Sequence, residues 1–160
     1  MKPKPIERSE NKVIVTNRKA YRDYTILETL ECGIELKGSE VKSIRAGRIN
    51  LEDSFARIEN NQVILYNTHI SPYEEASYLN VEPVRQRRLL LHGSQIKKLS
   101  GEVFQKGLTL VPLKVYFSER GFVKIALALC KGKKLYDRRD SLKRRESLME
   151  VRRAMKNRMK

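Results

Sequence analysis

Tryptophan is absent from this chain, and histidine and cysteine occur only twice each. His69 and His92 stand apart from each other and from Cys32 and Cys130, so no His/Cys set has the spacing of a metal site. There is no Gly-x-Ser-x-Gly elbow and no Walker loop. The carboxylate pairs Glu52–Asp53 and Glu74–Glu75 are adjacent in sequence and would point apart on a strand, unlike an acid–base pair. Neither catalysis nor a cofactor is expected. Cys32 and Cys130 each close an apolar stretch, which suits buried free thiols in a reducing compartment rather than a disulfide. No apolar run approaches the roughly 20 residues of a membrane span. The opening MKPKPIERSENK has no apolar core of a secretory signal, so a cytoplasmic protein is expected.

Positive charge is what the chain has in excess. Its net charge is +15 over 160 residues, and the stretch 131–160 alone holds thirteen Lys/Arg against four acids. Proline is missing after Pro112, the only glycine of that stretch is Gly132, and helix formers dominate past Tyr136. Leu148, Val151, Met155 and Met159 would form one narrow apolar stripe, too thin to order the segment by itself. A tail that is loose alone and becomes helical against a polyanion is expected over 131–160, with an ordinary solvated helix as the alternative. The KGKK cluster beside Tyr136, at the exit of an apolar strand, favours RNA as that polyanion.

The apolar pattern places the core before Lys131. Residues 1–11 are polar with two prolines and are expected to be disordered; 12–130 would form one domain. Val13–Val15 reads as a strand and Asn17-Arg18-Lys19 as a polar turn. Tyr24, Ile26 and Leu30 alternate with threonines as on a half-buried strand, with a bend expected at Glu31-Cys32-Gly33. A helix follows Gly38, with Ser39 as its cap and Gly47 as its stop. Asn60-Asn61 reads as a two-residue hairpin turn. Ser94 would cap a helix with Ile96, Leu99 and Val103 inward, divided at Gly101 and stopped at Gly107. Leu108–Phe117 and Phe122–Cys130 would close the domain as a hairpin, with Pro112 at an edge or bulge. The expected fold is mainly β: a small antiparallel OB-like barrel of about six strands, with two or three short helices and the basic C-terminal tail.

Four separated stretches then resemble one family. GIELKGSEVKSIRAGRINLEDSFARI (33–58), RRLLLH (87–92), GLTLVPLKVYF (107–117) and GKKLYDRRDSLKRRE (132–146) are similar to the signatures of small protein B, SmpB. That family is the partner of transfer-messenger RNA in bacterial ribosome rescue, and the likeness runs from about Asn17 to the end. The resemblance implies an oligonucleotide-binding-type barrel that holds the tRNA-like part of the RNA. It also implies a tail that enters the empty mRNA channel of a stalled ribosome and meets the rRNA of the decoding site. Contacts with alanyl-tRNA synthetase and elongation factor Tu would come through the RNA. The chain departs from the family pattern at Gly93-Ser94-Gln95, where a Lys-Arg-Glu-like cluster is expected, and at Arg138, where lysine is usual.

On the barrel, Asn17, Arg18, Lys19, Lys42, Arg45, Leu90 and Lys124 suit a folded RNA loop, with phosphates on the cations and bases on the rest. Glu31 would accept hydrogen bonds from a guanine edge; a carboxylate paired with a nearby lysine is the alternative. In the tail, Gly132 lets the chain turn off the last strand. Lys133, Lys134, Arg138 and Arg139 supply charge, Tyr136 a ring to stack on an rRNA base, and Asp137 an acid that orients a neighbouring arginine. A non-catalytic RNA-binding adaptor of ribosome rescue is the reading these features favour; a basic ribosomal protein with an RNA-binding extension is the alternative.

Overall fold

The structure, a computed structural model, describes residues 12–158, apart from the side chains of 77–79, 135–141, 154 and 156–158. The expectation for residues 1–11 lies outside the described residues. Nine strands form: β1 Lys12–Thr16, β2 Tyr24–Ile34, β3 Ile49–Asn50, β4 Phe55–Glu59, β5 Gln62–Tyr66, β6 His69–Ile70, β7 Arg87–Leu90, β8 Thr109–Phe117 and β9 Val123–Gly132. Four helices accompany them: α1 Arg18–Asp23, α2 Gly38–Arg45, α3 Gly93–Lys106 and α4 Leu135–Arg158, with a 3-10 turn over Glu74–Leu79.

Six strands close on themselves in the antiparallel order β8-β4-β5-β7-β2-β9 and back to β8, while β1 lies against β8 and β3 pairs with β6. This is the six-stranded OB-like barrel expected from the pattern. Alternation along each strand fills it: Val63, Leu65, Val115 and Leu127 are fully buried, and Leu99 of α3 plugs the interior. Each such side chain contributes roughly 1.5–3 kcal/mol. Asn60 and Asn61 both take positive φ, 47° and 58°, the geometry of a two-residue hairpin turn.

Two bulges shape the outer surface. β2 slips register between Ile26 and Glu28, and β8 between Pro112 and Lys114, as the proline suggested. The slip on β2 turns its first half over. Tyr24 and Ile26 join an outer apolar cluster with Ala20, Val111, Leu113, Ala128 and Cys130, whereas Leu30 and Cys32 face the barrel core. The bend expected at Gly33 is therefore at Leu27 instead, and β2 continues unbroken through Gly33. Both cysteines are buried free thiols, with burial raising Cys32 to about 12 and Cys130 to about 11.

The helix starts differ from expectation for one shared reason. The residue at the third helical position, not the serine, accepts the orphan N–H: Glu40 from Lys37 N–H at 2.8 Å, and Gln95 from His92 N–H at 3.0 Å. Lys37 and His92 are thus the caps, and Ser39 and Ser94 lie inside the first turns. α3 also runs straight through Gly101; buried Ile96 and Leu99 on its inner face outweigh the ~1 kcal/mol glycine cost. The segment expected as a turn after Asn17 is α1. β9 extends to Gly132, so the domain boundary expected at 130/131 falls inside a strand.

A buried ion cluster fixes the loop ahead of β7. Glu40 and Arg87 are 3% and 1% exposed. Arg87 Nε donates to Glu40 at 2.8 Å, and its other nitrogens donate to the Thr68 and Pro83 carbonyls at 2.7 and 2.9 Å. Arg85 Nε also donates to Glu40, at 2.9 Å.

Candidate nucleic-acid interface

Strand pairing assembles one row of side chains on the outer face of the barrel. Leu90 on β7 opposes Gly33 on β2, Gly33 opposes Lys124 on β9, and Lys124 opposes Tyr116 on β8. Glu31, two residues before Gly33 on the same face, reaches across this row. Its carboxylate accepts the Tyr116 hydroxyl and lies 3.5 Å from Lys124 Nζ. Gly33 leaves the floor bare: a Cβ there would come within 3.3 Å of the Leu90 Cβ. The result is an open depression of about 420 Å³, lined by Glu31, Gly33, Leu90, His92, Gln95 and Lys124.

That depression combines a fixed acceptor, an apolar wall and a cation. Leu90 is 49% exposed, more than packing of the barrel requires. Burial and then the hydrogen bond to Glu31 push the Tyr116 hydroxyl above the ordinary tyrosine value, so it stays a donor. Glu31 is thereby held in place, with lone pairs left for the N–H groups of a base edge. Glu31 thus meets the lysine of the alternative reading, Lys124, and its carboxylate still faces solvent.

The open row ends where α1 covers the same sheet face with Ala20. Asn17 makes that cover. It is 4% exposed; its Oδ1 accepts Ala20 N–H at 3.0 Å, and its Nδ2 donates to the Leu51 and Pro112 carbonyls at 3.0 and 3.1 Å. The expectation that Asn17 is exposed is corrected on these grounds: both N–H donors of its side-chain amide are engaged within the fold. Its task is to hold Arg18 and Lys19 at the barrel edge. Thr16 just before it pairs with Lys114, which itself pairs with Ala126 beside Glu31's row.

The other expected contacts lie outside the lining of that depression. Arg18 is exposed, whereas Lys19 is 2.6 Å from Asp53, whose hydrogen bond raises the Lys19 pKa. Lys42 lies 5.4 Å from the Tyr73 ring centroid and Arg45 5.8 Å from that of Phe117, both cations held by rings without a carboxylate partner among the described residues. The departure Gly93-Ser94-Gln95 falls in the first turn of α3, where Gln95 closes the cap. Sequence reasoning missed Tyr116, Gly33 and Lys114. Their signal lay in strand register, which fixes who stands opposite whom.

At the start of the tail, Gly132 ends β9, and Lys133 is anchored on α1 by its N–H to the Asp23 carbonyl at 2.9 Å and its Nζ to the Tyr21 carbonyl at 3.3 Å. Lys134 is exposed. Tyr136, Asp137, Arg138 and Arg139 fall in the first turns of α4, and their side chains lie outside the described residues. Farther along, Leu148, Val151 and Met155 are 64%, 50% and 62% exposed, so these members of the expected apolar stripe meet no core, and Met159 lies outside the described residues. Among the described residues no group of three His, Cys, Asp or Glu could hold a metal, and no helix is long and apolar enough to cross a membrane.

The model of the family described as "SmpB protein" matches residues 14–157. A protein of Caldicellulosiruptor saccharolyticus named SsrA-binding protein is 59% identical over 145 residues, 91% of each chain. One of the same name from Enterococcus faecalis is 53% identical over 94% of this chain and 97% of its own. A solved structure described as "tmRNA-SmpB: a journey to the center of the bacterial ribosome" contains a chain 56% identical, superposing with a TM-score of 0.65 over 77% of this chain and 85% of that one.

Proposed function

The chain belongs to the SmpB family, and we propose that it is the non-catalytic RNA-binding adaptor of trans-translation. It binds the tRNA-like domain of transfer-messenger RNA and brings that RNA to stalled ribosomes, work that puts it in the cytoplasm. The observation that carries this reading is the row Leu90–Gly33–Lys124–Tyr116 with Glu31 reaching over it. A helix of regular RNA offers its bases poorly, but the unstacked bases of a folded loop can enter such a depression and present donors to Glu31. Lys124, Lys114, Arg18, Lys19, Lys42 and Arg45 would then take surrounding phosphates and set register without reading sequence.

The tail supplies the second half of the activity. A ribosome whose mRNA has run out exposes a vacant channel lined with phosphates. Only that vacancy admits a strongly cationic helix whose described apolar side chains meet no core, so the tail reads missing mRNA. In this reading Tyr136 stacks on an rRNA base at the decoding site, Asp137 orients an arginine, and Lys133, Lys134, Arg138 and Arg139 provide charge.

A peptide-tagging assay on ribosomes lacking mRNA tests the reading. Tyr136→Ala combined with Asp137→Ala is expected to block tagging while leaving transfer-messenger RNA binding within about threefold, under ~1 kcal/mol. Near-normal tagging by that double variant would reduce the cluster to a general polyanion anchor and end the decoding-site assignment.

A further inference from the structure

A second face of the barrel carries the same chemical types in a different arrangement. On the outer side of the β4–β5 hairpin, the Phe55 and Tyr66 rings stack with centroids 5.4 Å apart and planes 10° from parallel. Arg57 lies over both, its Cζ 5.1 Å from the Phe55 centroid and 5.9 Å from that of Tyr66. The carboxylates nearby already have partners: Asp53 takes Lys19, and Glu59 accepts the Tyr66 hydroxyl at 2.8 Å. Arg57 makes no hydrogen bond or ion pair to another described residue, so its guanidinium donors stay available while the rings fix its plane.

Phe104 of α3 lines the same groove as this cation. It is 73% exposed, the largest value among the bulky apolar side chains of the described residues. The helix packs through Ile96 and Leu99, with Val103 against the core; Phe104 adds nothing to that face. Phe55, Arg57, Glu59, Val103, Phe104 and Leu108 line an open groove of about 350 Å³, near the lower end of the roughly 300–1,000 Å³ of small-molecule sites. On their other flank, Phe55 and Arg57 also wall a depression of about 280 Å³ that contains Lys19 and Tyr24.

We propose that this groove is a second RNA site, separate from the Glu31–Lys124 depression, which takes a short unpaired RNA segment with bases against Phe104 and Phe55 and a phosphate on Arg57. Aromatic rings with an arginine on an antiparallel sheet form a stacking platform that accepts any base. The charge of the chain favours RNA over a protein partner: it is +15 overall, and Arg57 stands in the groove with its guanidinium donors unengaged, while the Glu59 carboxylate beside it is taken up by the Tyr66 hydroxyl. The inference rests on the adaptor reading for the source of the RNA, yet it concerns residues that reading does not use.

The test is a titration of isotope-labelled full-length protein with oligoadenylate, oligouridylate and an abasic oligonucleotide of equal length, followed by amide chemical shifts at physiological salt. Shifts should centre on Phe55, Arg57, Tyr66 and Phe104 and be larger with bases than without. Arg57→Ala with Phe104→Ser should weaken this binding about tenfold or more, as expected for lost stacking of ~1–3 kcal/mol per base. The same change should leave binding of the tRNA-like domain within about threefold. Equal shifts from the abasic chain, shifts confined to the tail or the Glu31 face, or preference of the groove for an apolar peptide would each overturn the proposal. If the double variant does not fold, Phe104→Ser alone, which removes only an exposed ring, decides the point by the same readout. Normal capture of the tRNA-like domain by wild-type protein with no oligonucleotide response would sink this site and leave the adaptor reading standing.

Discussion

The hydroxyl of Tyr116 on β8 donates to the carboxylate of Glu31 on β2, spanning the strand β9 that lies between them. A side chain from a third strand, Lys124, completes the contact at 3.5 Å. Glu31 is therefore not a free surface acid but one aimed by two neighbours. Tyr116→Phe keeps the ring and removes the donor. It is expected to lower the preference for the cognate RNA loop over a mutated loop by about three- to tenfold, the scale of one ordinary hydrogen bond of ~0.5–1.5 kcal/mol, because the lost bond orients Glu31 rather than touching the RNA. Competition gel shifts would measure it, and unchanged preference would leave Tyr116 a packing residue only.

Phosphate contact and base readout should separate in their salt dependence. If about four of Arg18, Lys19, Lys42, Arg45 and Lys124 neutralise phosphates, the log–log slope of RNA affinity against salt should be near −3 to −4. Lys124→Ala should reduce the slope by about one unit, whereas Glu31→Ala should leave it nearly unchanged while reducing selectivity. A slope near zero for the unmodified chain would remove phosphates as the main source of affinity.

The Glu40 cluster sets an acid limit on the fold. Burial alone would raise the Glu40 pKa, but hydrogen bonds from Arg85, the Lys37 N–H and Arg87 outweigh it and hold the carboxyl below its ordinary value. A depressed carboxyl contributes stability above its unfolded pKa of about 4.3, and that contribution is lost as pH falls through the folded value. Glu40→Gln leaves Arg87 buried without its counter-charge and should cost about 3–5 kcal/mol at neutral pH, with a flatter loss of stability under acid. Urea unfolding across pH is the measurement; a loss below about 1 kcal/mol at neutral pH would contradict a buried pair.

The tail and the barrel should come apart at Lys134 rather than at Cys130. Lys131 and Gly132 still pair with β2, and Lys133 bonds to α1. A chain ending at Lys134 should fold and retain RNA binding to within about a hundredfold, ~2.7 kcal/mol, yet lose ribosome rescue. In the full chain, α4 amides should exchange with solvent almost unprotected and gain protection on ribosome binding, because an unpacked helix is marginal alone. Strong protection in the free protein would mean the helix is docked and not conditional.

Alternation of apolar residues was enough to indicate the six-stranded barrel, the Asn60-Asn61 hairpin and the inward set Ile96, Leu99 and Val103 of α3, since each depends only on local period and turn chemistry. Charge segregation likewise marked 131–160 as an element without a core. What the tertiary structure decided depends on non-local pairing. The bulge at Leu27 turns Tyr24 and Ile26 towards α1 although their spacing matches Leu30, because the slip comes from fitting β2 to β9. Asn17 looked like a polar surface residue, yet the distant Leu51 and Pro112 carbonyls take its side-chain amide, the Leu113 carbonyl takes its backbone N–H, and the residue is buried. Tyr116 carries no local mark of function. It meets Glu31 because β8, β9 and β2 lie side by side in one register, a relation no window of sequence contains.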